Sequence, residues 1–353
     1  MAVVLAIAAA LWGLGRLLKA PVAARFMMIG LLYVAVVALH VALPDGHPLR
    51  ESTGGSAGEW LVLGLLGVVV WGYSRGLKRV KSQVRPENRP QDKPQGTSSV
   101  ELERNARHIV LREIGGPGQK RLKDARVLVI GAGGLGSPAL QYLAAAGVGT
   151  IGVIDDDVVE NSNLQRQVIH TDARIGMPKV FSAQQAMEAQ NPFVTVRPYH
   201  RRLTREIAAE LFADYDLILD GTDDVATRYL VNEVAVTAKL PLISAAISQW
   251  EGQISVFDPS RGAPCYACVF PEPAAPGLAP SCAEGGVLGP LPGVIGSMMA
   301  VEAVKFLAGA GAPLLGRMMI YDALYSDVRV IGLKRRTECQ ICKHAVESQT
   351  PRT

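Results

Sequence analysis

The sequence has 353 residues and a formal net charge of +4 at pH 7, and 49% of its residues are hydrophobic. That length allows one large domain, or two ordinary domains with appendages. A charge this small, with its basic excess concentrated between Arg75 and Lys93, gives no indication of a nucleic-acid-binding protein.

The N-terminal part is predicted to be a transmembrane region that covers residues 1–73. Residues 26–43 contain no Asp, Glu, Lys or Arg, and this run is close to the roughly 20 residues that cross a bilayer. Shorter apolar runs at 2–15 and 60–73 carry tryptophans of the kind found at bilayer interfaces. We therefore expect about three spanning helices. One or two spans, or a buried core hairpin, are the alternatives.

The flanking charges predict how these spans are oriented. Lys and Arg residues cluster between the first two runs and after the third, whereas the segment 44–59 carries only Arg50. Because positive residues favour the cytoplasmic side, we expect a multi-pass protein of the inner (cytoplasmic) membrane whose larger C-terminal part is cytoplasmic. A cleavable signal peptide fits less well, since no charged side chain precedes the first apolar run.

Residues 74–100 are predicted to be a basic, flexible linker. They are rich in Pro and Gln and nearly free of apolar side chains, so they cannot bury enough surface to fold alone. Their positive charges would be attracted to anionic lipid, and a merely solvated linker is an equal alternative. At the other end of the chain, residues 343–353 are predicted to be a disordered tail.

The part between these segments has the pattern of an α/β domain. Short apolar runs alternate with helix-like segments, which is typical of a mostly parallel sheet with helices on both faces. Residues 253–257 indicate a strand that extends the sheet antiparallel, and residues 287–307 indicate a packed core helix. The predicted parallel strands are 126–130, 150–154, 216–219 and 242–245, and the helices are 135–145, 180–188, 206–212 and 226–238.

The first predicted strand leads into a glycine turn, Gly131-Ala-Gly-Gly-Leu-Gly, that opens a helix. Such a turn binds anions, because unpaired N–H groups and the helix dipole both point at a bound phosphate. Asp155 ends the next strand, where an acid reaches the ribose. Arg166 and Lys179 follow, and two cations near this pocket favour a nucleoside triphosphate over a nicotinamide dinucleotide.

Many separate motifs between residues 101 and 342 resemble, in the same order, those of the MoeB/ThiF/HesA family of bacterial adenylyltransferases, relatives of ubiquitin-activating enzymes. The resemblance implies an adenylyltransferase domain over 101–342 with a Rossmann-like sheet. The matching pieces are Arg107-His-Ile-Val-Leu, Gly118-Gln-Lys, the glycine turn, Ser162-Asn-Leu-Gln-Arg-Gln-Val-Ile-His, Asp220-Gly-Thr-Asp-Asp, Glu251-Gly-Gln-Ile, Pro264-Cys-Tyr-Ala-Cys, Pro280-Ser-Cys-Ala-Glu and Cys339-Gln-Ile-Cys.

The resemblance also implies a site for ATP and Mg²⁺. By similarity, Gly134 lies at the phosphate turn, Asp155 binds the ribose and Asp223 holds Mg²⁺. Asp224 follows where most members have Asn, which adds a possible charge beside the metal. The residues implied to line the nucleotide and its phosphates are Ser162, Asn163, Leu164, Gln165, Arg166 and Lys179.

Two further positions have implied roles that depend on another molecule. Arg107 resembles an arginine that the family contributes across a homodimer interface to the neighbour's triphosphate, a contact that suits a planar guanidinium. The usual aromatic residue between Arg104 and Arg107 is absent. Cys282 matches a cysteine that forms a thioester or acyl disulfide with the partner protein in some members and is dispensable in others. Both interpretations stay open, because the catalytic one requires a low-pKa thiolate.

The other four cysteines form two Cys-x-x-Cys pairs, Cys265 with Cys268 and Cys339 with Cys342. This spacing is typical of tetrahedral Zn²⁺, and two independent redox pairs are the alternative. Four cysteine ligands leave no open coordination position, so we expect a structural zinc that clips a loop to the C-terminal end.

The predicted function is ATP-dependent adenylation of the C-terminal glycine of a ubiquitin-like sulfur-carrier protein with a Gly-Gly tail, in molybdopterin or thiamine biosynthesis. The reaction releases pyrophosphate and needs cations around the triphosphate. One alternative, an NAD-binding oxidoreductase, would account for the glycine turn and Asp155 but leave Arg166 and Lys179 unexplained. Another, a non-catalytic membrane-anchored scaffold of the same fold, would bind ATP without turnover.

Overall fold

The chain separates into two compact units, residues 1–95 and 96–353. The division falls inside the segment 74–100 that the sequence predicts to be a linker. The computed structural model describes residues 2–18, 22–54, 56–84, 98–273 and 285–343.

The first unit consists of three longer helices and one short one. α1 (Ala2–Leu17), α2 (Val22–Ala42) and α4 (Ala57–Val84) coincide with the three predicted spans, and α3 (Pro48–Thr53) lies between the last two. Within α2, the stretch Ala24–Ala42 is long and apolar enough to cross a membrane, whereas the apolar stretches of α1 and α4 are shorter.

Many apolar side chains of the first unit face outward. Leu5, Leu31 and Leu65 are each 63–65% exposed, while Val36 and Trp60 are buried between the helices. The unit by itself therefore leaves a large apolar surface uncovered.

α4 corrects the predicted start of the linker. Residues 74–84 are helical. The stretch has no proline, and six of its eleven residues are Arg, Lys, Leu or Gln, which have good helix propensity. Residues 85–97 of the predicted linker and 344–353 of the predicted tail lie outside the described residues.

The second unit is built on one eight-stranded sheet with the order β3-β2-β1-β4-β5-β6-β7-β8. The first five strands in this order pair parallel and the last three continue antiparallel. The predicted mostly parallel α/β sheet with an antiparallel extension is thus confirmed. The strands are β1 (Arg126–Ile130), β2 (Thr150–Asp155), β3 (Thr195–His200), β4 (Leu217–Asp220), β5 (Leu242–Ser248), β6 (Glu251–Phe257), β7 (Arg317–Asp322) and β8 (Asp327–Gly332).

Helices cover both faces of this sheet. Alternate residues of β1 enter two different apolar clusters, Val127 and Val129 in one and Leu128 and Ile130 in the other, because successive side chains of a strand point to opposite faces. The helices are α5 (Ser99–Ile109), α6 (Gly115–Asp124), α7 (Gly136–Ala145), α8 (Lys179–Gln190), α9 (Arg205–Phe212), α10 (Val225–Ala238), α11 (Tyr266–Val269) and α12 (Pro290–Ala308). Short 3₁₀ turns occupy Asn161–Asn163, Asp172–Arg174 and Pro259–Arg261.

α12 is a core helix, as the sequence predicts. It is long and apolar enough to imitate a membrane span, but half of its apolar stretch is buried. Ile295, Met299 and Ala303 are fully buried in the cluster that contains Val127. Core packing of α12 against α7 and the sheet accounts for its apolar composition.

Candidate functional site

A cleft of about 1040 Å³ opens where β1, β2 and β4 end. The strand order changes direction between β1 and β4, and a crevice at the carboxyl ends of parallel strands is the usual ligand site in such sheets. The cleft lies at the upper end of the roughly 300–1,000 Å³ of small-molecule sites, so its size suits a nucleotide together with part of a second substrate.

Most of the predicted nucleotide site is brought together here. Ser162, Leu164 and Gln165 belong to the same turn as Asn163 but are not lining residues. Arg107 is exposed on α5 and does not line the cleft of its own chain, and Cys282 lies outside the described residues. The predicted residues that line the cleft are Gly134, Asp155, Asn163, Arg166, Lys179, Asp223 and Asp224.

The glycine turn requires glycine at specific positions. Gly131 has φ +90°, in the left-handed region, and its N–H donates to the carbonyl of Ile154 at 2.9 Å. A Cβ on Gly136 would lie 2.0 Å from the carbonyl oxygen of Gly131. α7 begins at Gly136 without a side-chain cap. The N–H of Ser137 donates to the carbonyl of Gly133 at 2.9 Å and Pro138 has no N–H, so an anion here would be attracted mainly by the helix dipole and the backbone of the turn before Ser137.

Asp155 is fixed by two backbone groups. Its Oδ2 accepts the N–H of Ala132 and its Oδ1 accepts the N–H of Asp157, both at 2.8 Å. Burial raises the pKa of Asp155, and these two hydrogen bonds oppose that rise. Each carboxylate oxygen has a second lone pair, so the side chain can still accept ribose hydroxyl groups.

Two cations also line the cleft, Lys179 and Arg166. Lys179 begins α8, is 95% buried, and its Nζ lies 2.7 Å from Oδ2 of Asp157. Arg166 donates from Nη1 to the carbonyl of Ser162 at 3.0 Å. A buried ammonium and a guanidinium in a concave site attract phosphate groups more strongly than they would in water.

The segment 220–224, here called the acid loop, connects β4 to α10. Asp223 is exposed and makes no hydrogen bond or ion pair with the residues that the structure describes, so its carboxylate is available to a cation. Asp224 instead caps α10, since its Oδ2 accepts the N–H of Thr227 at 3.0 Å, and the hydroxyl of Thr227 lowers the pKa of Asp224. Asn caps a helix about as well as Asp, so the departure from the family's Asn changes the charge without changing the cap.

The structure adds cleft residues that the sequence prediction missed. Arg201 and Arg202 line the cleft directly after β3, and Arg202 lies 3.5 Å from Oδ2 of Asp224. Gln167 is 96% buried at the rim of the glycine turn, and its Oε1 has no hydrogen-bond partner among the described residues. Gln167 stands beside Arg166 in the motif that begins at Ser162, which was its only signal in the sequence. Arg201 and Arg202 had none, because they follow a strand that lacks a continuous apolar run.

His170 supports the glycine turn without lining the cleft. Its Nε2 lies 2.9 Å from the carbonyl oxygen of Ala132, and its Nδ1 lies 2.9 Å from Oγ of Ser182. Burial lowers the pKa of His170, so a neutral ring connects the turn to α8. The sequence offered one hint, since His170 ends the motif that begins at Ser162.

The four paired cysteines form one buried cluster. Sγ of Cys265 lies 3.8 Å from that of Cys268 and 3.7 Å from that of Cys339, and Cys268 lies 3.4 Å from Cys342. A tetrahedron with Zn–S bonds of about 2.3 Å has sulfurs about 3.8 Å apart, whereas a disulfide needs about 2.05 Å. Burial raises the pKa of Cys339, but backbone N–H groups of Cys342 and Ile341 bring it down to about 7. The cluster therefore has the donor set and geometry of a metal site.

Comparison with known proteins agrees with this site. The sulfur carrier protein adenylyltransferase of Thermus thermophilus is 50% identical over 246 residues, which cover 69% of this chain and 91% of the relative. The probable adenylyltransferase/sulfurtransferase MoeZ of Mycobacterium tuberculosis is 52% identical over 241 residues. That match covers 67% of this chain and 62% of MoeZ, so this chain spans less than two thirds of MoeZ.

Solved structures show the same fold at lower identity. Escherichia coli MccB crystallised with ATP has a TM-score of 0.60 at 22% identity, covering 69% of this chain and 74% of MccB. PaaA has a TM-score of 0.60 at 21% identity, covering 85% of this chain and 90% of PaaA. The sequence pattern of the ThiF family matches residues 105–341, a range that includes every residue that lines the cleft. The chain belongs to the ThiF family.

Proposed function

We propose that the protein is an adenylyltransferase that activates the C-terminal glycine of a ubiquitin-like sulfur-carrier protein, in molybdopterin or thiamine biosynthesis. The observation that carries the proposal is the 50% identity to the Thermus protein, which extends over 91% of a relative named for this activity. The cleft contains the residue types that the reaction requires, namely an acid for the ribose, a glycine turn and cations for the phosphates.

In the proposed reaction, a carboxylate oxygen of the carrier's last glycine attacks the α-phosphorus of ATP. The bond from that phosphorus to the bridging oxygen breaks, and pyrophosphate leaves with the negative charge that develops there. Lys179 and Arg166 stabilise this charge from fixed positions, which requires little reorganisation during the reaction. Asp155 holds the ribose and so keeps the α-phosphate in register with the attacking oxygen.

Asp223 is the residue that we propose to hold Mg²⁺. Mg²⁺ prefers carboxylate oxygens and usually retains several waters, and Asp223 offers an exposed carboxylate without a protein partner among the described residues. Mg²⁺ would supply charge neutralisation for the phosphates. The protein's own contribution is to place this carboxylate in the loop before α10. This loop runs beside the glycine turn, since the N–H of Gly221 donates to the carbonyl of Ile130 at 3.0 Å.

Arg107 would act across a dimer interface, on the nucleotide bound by a second copy of the chain. It is exposed on α5 and does not line the cleft of its own chain, and its side chain has no hydrogen bond or ion pair within the described part of the chain. We therefore propose a homodimer in which Arg107 reaches the neighbour's triphosphate. Its permanent charge and planar fork suit that task.

The cysteine cluster is proposed to bind one Zn²⁺. Its sulfur–sulfur distances suit a tetrahedral ion, and the four sulfurs join residues 265–268 to the C-terminal residues 339–342. Zinc would supply a covalent-like link between these two segments.

The first unit is proposed to anchor the protein in the inner (cytoplasmic) membrane as a multi-pass segment, with the catalytic unit cytoplasmic. Two features support the proposal: the apolar length of Ala24–Ala42 and the outward-facing leucines of the helices. A bilayer would cover the apolar surface that the unit leaves exposed.

The test is ATP–pyrophosphate exchange by the full chain, with and without a carrier that ends in Gly-Gly. Exchange that depends on the carrier, and that fails with a carrier lacking the last glycine, is expected. The proposal would be overturned if no carrier supported exchange and the protein bound NAD instead of ATP.

A further inference from the structure

Residues 265–268, here called the cysteine turn, place an aromatic side chain in the wall of the cleft. Cys265 and Cys268 contribute two of the four clustered sulfurs, and Tyr266 between them lines the cleft. The Tyr266 ring packs edge-on against Phe257 at 5.8 Å between centroids, and lies 4.8 Å from Phe270. One four-residue turn thus belongs both to the cysteine cluster and to the nucleotide cleft.

α10 holds the cysteine turn through three of its residues. The backbone N–H of Tyr266 donates to Oδ1 of the buried Asn232 at 2.8 Å. The hydroxyl of Tyr229 donates to the carbonyl of Phe270 at 2.9 Å, and its ring packs edge-on against Tyr266 at 5.3 Å. Arg228 places its guanidinium 5.9 Å from the centre of the Tyr266 ring. The turn therefore has a fixed position relative to α10.

Arg228 extends this contact to the acid loop. The residue is 94% buried, with Nε 3.8 Å from Oδ2 of Asp220, and its Nη2 donates to the carbonyl of Thr222. Asp220 in turn accepts the N–H of Thr222 at 3.1 Å. Thr222 immediately precedes Asp223, and Asp224 caps α10, so the backbone on both sides of the proposed Mg²⁺ ligand is fixed by α10 and its partners.

A buried guanidinium is stable only while its donors and its surroundings stay satisfied. The Tyr266 ring covers one side of Arg228, and loss of this cover would admit water and loosen the hold on Thr222. A metal bound by four sulfurs would fix the cysteine turn and with it this ring. These contacts form a continuous path from the cysteines to Asp223.

We propose that the cysteine cluster and the acid loop form one coupled unit joined by Tyr266 as a positioning residue, so that metal in the cluster sets the order of the acid loop and the affinity of the cleft for nucleotide. The proposal goes beyond a structural clip at the C-terminal end. It rests on the proposed function only for the identity of the nucleotide, because the contact path does not depend on the ligand.

The test compares four full-length proteins in detergent, each zinc-loaded and chelator-depleted. Tyr266→Leu removes the ring while keeping all four sulfurs and the backbone N–H that Asn232 accepts. Tyr266→Phe keeps the ring, and the wild type is the reference. Phe306→Leu is the matched control. The Arg261 guanidinium lies over the Phe306 ring, 4.4 Å from its centroid, but Phe306 does not line the cleft.

The primary readout is hydrogen–deuterium exchange of residues 220–227, which needs neither nucleotide nor activity. Depletion is expected to speed exchange there at least about tenfold in the wild type, in Tyr266→Phe and in Phe306→Leu. Loaded Tyr266→Leu is expected to exchange as fast as the depleted wild type, with little further change on depletion, which is the signature of coupled changes.

Equal exchange of residues 220–227 in loaded and depleted wild type would overturn the proposal, and so would wild-type protection in loaded Tyr266→Leu. Zinc depletion could unfold the whole sheet, which would appear as lost hydrogen-exchange protection of β1. In that case the comparison between zinc-loaded Tyr266→Leu and zinc-loaded wild type decides whether the proposal holds. Calorimetry of ATP binding is the second readout, with about tenfold weaker affinity expected in depleted wild type and in loaded Tyr266→Leu. If the wild type shows the expected changes in hydrogen–deuterium exchange but binds no ATP, the coupling is supported and the proposed function is refuted.

Discussion

The carboxylate of Asp155 accepts the backbone N–H of Ala132 at 2.8 Å, so the acid at the end of β2 also fixes the glycine turn after β1. Its other oxygen accepts the N–H of Asp157 at 2.8 Å. One side chain thus orders the phosphate turn and contacts the proposed ribose position. Loss of its charge should therefore affect the nucleotide and the fold together.

We expect Asp155→Asn to weaken ATP binding about 10- to 100-fold and to lower the free energy of unfolding by about 1–3 kcal/mol, because the amide offers one acceptor where the carboxylate offers two. Calorimetry and urea unfolding measure the two effects. Asp327→Asn, on the exposed edge strand β8, is the control and should change neither. Unchanged ATP affinity in Asp155→Asn would refute the assigned role.

Lys179→Met is expected to reduce carrier-dependent pyrophosphate exchange about 10²- to 10³-fold, since removal of a fixed charge that stabilises a transition state has an effect of that size. Lys120→Met removes a surface lysine that pairs with Asp124 on α6, and should leave exchange unchanged. Initial rates at saturating ATP provide the measurement. Equal rates in both variants would remove Lys179 from the mechanism.

The buried His170 predicts a pH dependence of stability. Its folded-state pKa lies below the ordinary 6.5 because of burial, so the unfolded chain binds a proton that the folded chain does not. The free energy of unfolding should therefore fall as the pH drops below 6.5, and level off below the folded-state pKa. The raised pKa of Asp155 acts in the opposite direction, at pH values above 3.8.

This dependence is measured as the midpoint of urea unfolding between pH 5 and pH 8, with the hydrogen-exchange protection of β1 as the probe of unfolding. His170→Asn should flatten the curve across pH 5–7, because the titrating ring is gone. A slope equal to that of the wild type would assign the pH dependence to other groups.

The cysteine cluster predicts one zinc ion per chain. Cys342→Ser is expected to reduce zinc content and lower the unfolding midpoint, because a buried hydroxyl is a weaker zinc ligand than a thiolate. Cys282→Ser should keep the full zinc content, since the four clustered cysteines already supply the four ligands of a tetrahedral site. It should also keep pyrophosphate exchange, because a thioester would form only after adenylation. Loss of zinc in Cys282→Ser would contradict the assigned ligand set.

Membrane anchoring can be tested in α2. Leu31 is 63% exposed near the middle of this helix, and Leu31→Arg should lower the membrane-bound fraction, since an arginine at the centre of a span costs about 2.5–3.5 kcal/mol or more. Leu31→Ala is the control that keeps the position apolar. Protease should cleave the catalytic unit in inverted vesicles and not in sealed spheroplasts. The reverse pattern would contradict the proposed orientation.

The parallel core of the sheet could be predicted because its strands are buried on both faces and carry continuous apolar runs. β3 was missed, since it includes Arg197 and Pro198 and has a mixed burial pattern. It is an edge strand, and an edge tolerates proline because one side of the strand needs no donor. β7 and β8 were also missed, and all of β8 is exposed. β7 lies between β6 and β8 but is only partly buried. All three missed strands therefore lack the burial on both faces that produces a continuous apolar run in the sequence.

The site was predictable where a residue acts through its position in a motif. Asp155 ends β2, Lys179 begins α8 and Arg166 lies in the motif that starts at Ser162. All three line the cleft. Arg228 and Tyr266 were not identified, because their importance arises from a contact between segments that are distant in sequence. For Asp224, the position in the motif implied nucleotide binding. The structure shows a further role that the motif did not indicate, because Asp224 caps α10.

The continuation of α4 to Val84 changes how far a rigid backbone extends beyond the last apolar run. From Tyr73 to Val84 the helix rises about 16 Å, at roughly 1.5 Å per residue. The backbone positions of this stretch therefore have set spacings along a helix, instead of sampling many separations as they would in a loose tether. A deletion of four residues from this stretch would shorten the helix by about one turn, or about 6 Å at roughly 1.5 Å per residue.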